Sequence, residues 1–245
     1  IEPYYTYATL GVGNAGTAYI ADSTGQVKVA KSILSYASIV NPYTLSLTYN
    51  SDYFSASSST DYQPMEKLGL TMRIGSGITL NAVQKVETET ISGISYLKYH
   101  DGDGTVHYFQ KDSSKDSTGT YFYDEDGLGL KIKSTGSSSY EMSDDANNKW
   151  TFTNGYLTAI SDETGNQILI KYDSAGKKIT SIAQKNKGGA EIAIATFTYS
   201  GNYISTIQDA AGITYTCAYS GGKLINIKRG DTIIAQYTYS GHRVA

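Results

Sequence analysis

The chain has 245 residues, 40% of them hydrophobic and 18% charged, which suffices for a sizeable core in one or two domains. Its single cysteine excludes an internal disulfide, and no run reaches the roughly 18 consecutive apolar residues of a membrane-spanning helix. Net charge is −3, with 11 basic and 17 acidic residues up to Thr153 and 9 basic and 6 acidic from Asn154 on; the basic ones are scattered over turns, too dilute for a nucleic-acid footprint.

Taken in order, Tyr4–Leu10 reads as a strand. Gly11-Val12-Gly13-Asn14-Ala15-Gly16 matches the dinucleotide fingerprint letter for letter, but that motif needs a helix after it. Thr17–Ile20 and Asp22–Gly25 read as strand and turn, so the glycines are assigned to a turn. Gln26–Val29, Ser32–Val40 and Tyr43–Ser51 read as strands, and Ser55–Thr60 as a polar loop. Leu68–Ile74 and Ile78–Val83 alternate as strands do, with Gly75-Ser76-Gly77 as their hairpin. Val86–Ile91 and Tyr96–His100 are strands, and Asp101-Gly102-Asp103-Gly104 turns the chain into Thr105–Lys111. Tyr121–Leu130 and Lys149–Phe152 follow, and no helical pattern of useful length occurs.

From Asn154 the chain repeats itself. The strand before Tyr172-Asp173 is matched by strands before Tyr199-Ser200-Gly201, Tyr219-Ser220-Gly221 and Tyr239-Ser240-Gly241. Each step leads through glycine into a short apolar run: Lys178–Ile182, Tyr203–Ile207 or Lys223–Ile227. The last two tyrosine spacings are 20 residues, and the first is 27 because Ala183–Glu191 reads as an insertion. A fixed period near twenty means stacked supersecondary units, none able to bury its apolar face alone. Tyr172, Tyr199, Tyr219 and Tyr239 are therefore the structural tyrosines of the repeat, and Gly165, Gly176, Gly201, Gly212, Gly222 and Gly241 its turn glycines, supplying positive φ.

The candidate sites are weak by comparison. Asp101–Thr105 begins like a calcium loop, but Val106 and Asp112 stand where an EF-hand needs glycine and glutamate, so it reads as a hairpin turn. His100 and His107 flank that turn and would face each other across it, two imidazoles without an evident third ligand. Cys217 alternates inward with Ile213, Tyr215 and Tyr219 and reads as a small core residue. Asp124, Glu125 and Asp126 are the acids available for glycoside hydrolysis, but three in one turn read as solvated. Trp150, Tyr156 and Tyr203 read as packing residues rather than sugar platforms. No enzyme, cofactor or metal is expected.

The cycle Tyr-Asp/Ser, Gly, x, Leu/Ile, x, x, Ile, x, Asp, x, x, Gly, then a strand back to Tyr, resembles the YD repeat of RHS (rearrangement hot spot) proteins. Its clearest copy is Tyr199–Gly212, with an upstream copy at Gly155–Asn166; Tyr-Ser replaces Tyr-Asp in most copies, and only Tyr172-Asp173 is literal. Asp101-Gly102-Asp103-Gly104-Thr105-Val106-His107-Tyr108-Phe109 resembles a hairpin preceding such repeats, and the strand ending Tyr49-Asn50-Ser51 resembles the region before them in Gram-positive members.

The resulting expectation is all-β: consecutive antiparallel hairpins stacked into a curved, extended sheet, part of an RHS-type β-shell. Residues 1–100 would form a non-repeat β region and 101–245 the hairpin repeats, truncated at Ala245, within a chain that reads as an excised piece. The resemblance implies a structural segment of a larger bacterial protein, secreted or at the cell surface. In some members such a shell encloses a C-terminal toxin or effector domain. The implied partners are the rest of the parent chain and cell-wall glycans, with neither nucleic acid nor a membrane span. The alternative is a carbohydrate-binding or adhesive module, which exposed tyrosines would favour.

Overall fold

The computed structural model describes residues 6–54 and 61–245. Tyr4, Tyr5 and the Ser55–Thr60 loop lie outside the described residues. Strands β1 (Tyr7–Gly11), β2 (Thr17–Ala21), β3 (Val27–Tyr36), β4 (Tyr43–Asn50) and β5 (Ile78–Leu80) form one antiparallel sheet in chain order. The two segments expected at 26–29 and 32–40 are one strand, β3, with a bulge between Ser32 and Leu34.

A second sheet starts with β6 (Lys85–Ile91), β7 (Ile94–His100), β8 (Val106–Lys111), β9 (Tyr121–Asp124), β10 (Lys131–Gly136), β11 (Ser139–Ser143), β12 (Lys149–Thr153) and β13 (Tyr156–Ser161). Each pairs antiparallel with the next, and β13 also returns to β6, where Tyr156 lies opposite Lys85. Two backbone bonds seal that seam, Val86 N–H to Gly155 O at 2.8 Å and Leu157 N–H to Gln84 O at 3.1 Å. The eight strands thus close into a barrel. The expected all-β, antiparallel architecture is present, but a closed barrel stands where a curved, extended sheet was expected. The physical reason is the inward face: Val86, Leu97, Phe109, Ile132, Met142 and Phe152 are all at most 2% exposed, and closing the ring buries them together while leaving no free edge.

From β13 the sheet continues as an antiparallel meander: β14 (Gln167–Tyr172), β15 (Ile179–Lys185), β16 (Glu191–Ser200), β17 (Tyr203–Asp209), β18 (Thr214–Ser220), β19 (Lys223–Arg229) and β20 (Thr232–Gln236). A short pair, β21 (Tyr239–Ser240) and β22 (Arg243–Val244), follows. The Ala183–Glu191 insertion lengthens β15 and β16 and turns between them.

Leu68–Ile74 is not a strand of either sheet. After a single helical turn, α1 (Pro64–Lys67), the chain runs extended across the ends of the repeat hairpins. Thr71 N–H donates to Lys177 O (2.9 Å), Arg73 N–H to Asn202 O (2.8 Å) and Ser76 N–H to Gly222 O (3.1 Å). Each acceptor sits in a different hairpin connection. Five extended residues reach about 17 Å, close to the roughly 19 Å of four strand spacings. The alternation read as a strand is present, for Leu70, Met72 and Ile74 are buried, but apart from one parallel bridge, Arg73 to Tyr203 at the start of β17, its partners are turns.

Gly75 is where this strap touches the array. Its φ is +125°, and a Cβ there would lie 2.9 Å from both Leu224 N and Leu224 Cβ. Gly75→Ala should cost about 3 kcal/mol through backbone strain plus overpacking. Gly212→Ala, at φ +79° but in open space, should cost about 1 kcal/mol. Urea midpoints of the two variants check the order.

Candidate functional site

The four repeat tyrosines form one ladder. A register shift precedes three of them, between Lys171 and Tyr172, Thr198 and Tyr199, and Ala218 and Tyr219. A bulge re-aims the side chain that follows it. Each hydroxyl then donates to a main-chain carbonyl of the preceding unit: Tyr172 to Leu157 (3.1 Å), Tyr199 to Ile179 (2.6 Å), Tyr219 to Ile204 (2.7 Å) and Tyr239 to Leu224 (2.8 Å). The rings are half-buried against the core, and burial is the main cause that pushes all four hydroxyls up and keeps them protonated donors. Cys217 beside Tyr219 is buried too, and that burial pushes its thiol up to about 12, the opposite of what a nucleophile needs.

The turns carry a second regularity, the aspartate three residues before the glycine that the repeat cycle contains. Asp162 Oδ1 accepts from Thr164 N–H and Asn166 N–H, both at 2.9 Å, and Asp209 Oδ1 likewise from Ala211 N–H and Ile213 N–H. Asp101 does the same for Asp103 and Thr105 at 3.0 and 2.8 Å, and Asp173, Asp124 and Asp144 each accept the N–H four residues on. The carboxylate thereby satisfies donors that the tight turn leaves outside the strand ladder. Gly165, Gly176 and Gly212 follow at φ +92°, +65° and +79°. Gly201, Gly222 and Gly241, at +59°, +79° and +60°, sit in the connections at the other hairpin ends. The signal for the aspartates was in the sequence, as Asp-x-x-Gly at 101, 116, 124, 162, 173 and 209 among others.

These bonds favour the ionised carboxyl. Asp162, bonded by the Asn166 side chain first of all, and Asp116, bonded by Thr118, are held down to about 2. Asp173 is lowered through the Lys177 N–H, and Asp112 through Ser114. A depressed folded-state pKa stabilises the fold above the unfolded value of about 3.9, and that stability is lost as pH falls through the folded value. Thermal melts should therefore fall steeply between about pH 4 and about pH 2. Asp162→Asn should flatten part of that slope.

The remaining sequence candidates disperse. The Gly11–Gly16 stretch is a single 3-10 turn, Gly13–Ala15, between β1 and β2. His100 lies opposite Val106 and His107 opposite Tyr99, so successive pairing puts the two imidazoles on opposite faces of the hairpin, which corrects the idea that they face each other. His100 contacts Glu87 at 3.0 Å, whereas His107 is buried with Asp126 at 3.1 Å from Nδ1 and Asp101 at 3.4 Å from Nε2. Among the described residues no three His, Cys, Asp or Glu side chains are grouped to hold a metal. Asp124 accepts from Leu128 and Leu130 N–H, and Asp126 faces His107, so the three-acid turn does not converge on a cleft. Tyr156 donates to Leu68 O, Tyr203 packs 4.8 Å from Tyr219, and Trp150 packs against the core.

One polar cluster had no warning in the sequence. Lys28 stands in Val27-Lys28-Val29, an ordinary strand string, yet it is only 1% exposed. Its ammonium reaches Asp103 Oδ1 at 2.7 Å and contacts Thr105 Oγ1. Burial works to raise the Asp103 carboxyl, but the Lys28 charge and hydrogen bond, together with further positive charge, outweigh it and hold the group well below the usual carboxylate range. Asp52, whose carboxyl burial raises despite Lys28, lines the same 380 Å³ cavity, with Tyr53, Asn50 and Gln26.

No family model matches the sequence, and no curated protein matches it. Among solved structures, the chain is similar to a chain in the Photorhabdus luminescens Tc holotoxin pore at 15% identity and a TM-score of 0.37. That alignment covers 93% of this chain and 11% of the other, so this chain spans about a ninth of its length.

Proposed function

We propose that this chain is a non-catalytic β-scaffold segment of a larger bacterial protein of the RHS/YD-repeat kind, secreted or at the cell surface. Within that parent it forms part of a shell around a C-terminal toxin or effector domain. The observation that carries this reading is the hydroxyl-to-carbonyl ladder. Each hairpin from β14 onward is fastened to the unit before it through a tyrosine at the same place in the repeat. Such nearest-neighbour completion is what lets an array extend by adding units.

The ladder also weighs against a glycan-binding face built on the repeat tyrosines. Their hydroxyls are engaged by main-chain carbonyls and their rings lie against the core, so they offer no exposed stripe. Limited proteolysis of the full-length parent tests the proposal. A shell protects the C-terminal domain until the array is opened, for instance by Tyr199→Ala. A C-terminal domain cleaved as fast in the intact parent as on its own sinks it.

A further inference from the structure

Lys28 and Asp103 come from different sheets. Lys28 belongs to β3, while Asp103 sits in the turn between β7 and β8, 75 residues away in sequence. Their side chains are 2% and 13% exposed and meet at 2.7 Å. Asp103 Oδ1 also accepts the Thr105 N–H at 3.1 Å and the Thr105 hydroxyl at 2.6 Å. A second carboxyl, Asp52, lines a cavity with Lys28 and Thr105. A buried amine, a carboxyl in contact with it, two donors on one carboxyl oxygen and a nearby acid together make up the machinery for amide formation.

We propose that Lys28 Nζ and Asp103 Cγ condense into an intramolecular amide that ties the five-stranded sheet to the barrel. The ion pair is the starting state. A proton passes from Nζ to the Asp103 carboxylate, which gives a neutral amine beside a neutral acid, a minor form beside the ion pair whose cost burial reduces. The nitrogen lone pair then forms the Nζ–Cγ bond, and the carbonyl electron pair moves onto Oδ1. There the Thr105 N–H and hydroxyl stand as an oxyanion site. Asp52, on the wall of the cavity that Lys28 and Thr105 line, takes the proton from nitrogen and returns one to Oδ2. The Cγ–Oδ2 bond breaks and water leaves. Amine plus acid gives amide plus water, with nothing oxidised or reduced, and the fixed contact supplies the proximity that the same groups lack in solution. The product removes two buried charges and closes a long loop covalently in a chain whose one cysteine cannot do so.

Intact-mass spectrometry of the folded, purified protein at neutral pH tests this. The expected mass is lighter than the sequence mass by one water, with a proteolytic peptide joining the segments of Lys28 and Asp103. Lys28→Arg, which keeps the charge but cannot form this amide, should show its full sequence mass. Asp103→Asn should instead lose one ammonia. Wild-type protein at its full sequence mass overturns the proposal and leaves an ion pair only. Water loss that persists in Lys28→Arg overturns the assignment to Lys28. The wild-type measurement decides even if a variant does not fold.

Discussion

Tyr199→Ala should lower the unfolding free energy by about 3–5 kcal/mol, the range for deleting a large ring from a packed core. Tyr199 sits in the middle of the meander, its ring against the core and its hydroxyl 2.6 Å from Ile179 O. Tyr199→Phe separates the two contributions: it keeps the ring but strips the carbonyl of its side-chain donor, at about 1–2 kcal/mol. Thr198→Ala, one residue earlier and exposed, should stay within about 0.5 kcal/mol. Tyr239→Phe makes the same chemical change at Leu224 O, but beside the short β21–β22 pair, so it should loosen the end rather than the whole. Urea melts of the four variants read the series. Equal losses for Tyr199→Phe and Thr198→Ala would mean that the ladder contributes nothing, and the scaffold proposal would lose its main support.

What the sequence made legible was whatever is local and periodic. The alternation around Tyr215, Cys217 and Tyr219 specified strand and face, because side chains two apart share a face. The turns were legible because glycine and aspartate mark backbone conformations that other residues avoid. The barrel was not. Its closure rests on Val86 and Leu157 finding partners about seventy residues apart, and nothing in either local string announces that. The strap was half legible: Leu70, Met72 and Ile74 gave the correct period, but a period does not say whether the partner is a strand or a row of turns. Lys28 was hidden for a related reason. A lysine between valines reads as the solvent-facing position of an edge strand, and only the arrival of the β7–β8 turn buries it.

Lys28→Met should be among the most damaging single changes, because it takes from the buried Asp103 carboxylate the ammonium that contacts it at 2.7 Å. Removing one partner of a buried pair costs about 3–5 kcal/mol. Lys28→Met combined with Asp103→Asn removes the carboxylate charge while keeping an acceptor for the Thr105 N–H and hydroxyl, so the double variant should lie above the single one. The double variant also reports on the amide. If an ion pair were all that joins the sheets, replacing both partners would come close to neutral. A covalent tie closing a 75-residue separation adds about 4 kcal/mol through the unfolded chain, and no neutral pair restores it. The expected order in urea is therefore wild type, then double, then single, with a wide gap at each step. A double variant as stable as wild type would agree with a full-mass wild-type protein and reduce the Lys28 site to electrostatics. A single variant as stable as the double would show that Asp103 takes up a proton once its lysine is gone.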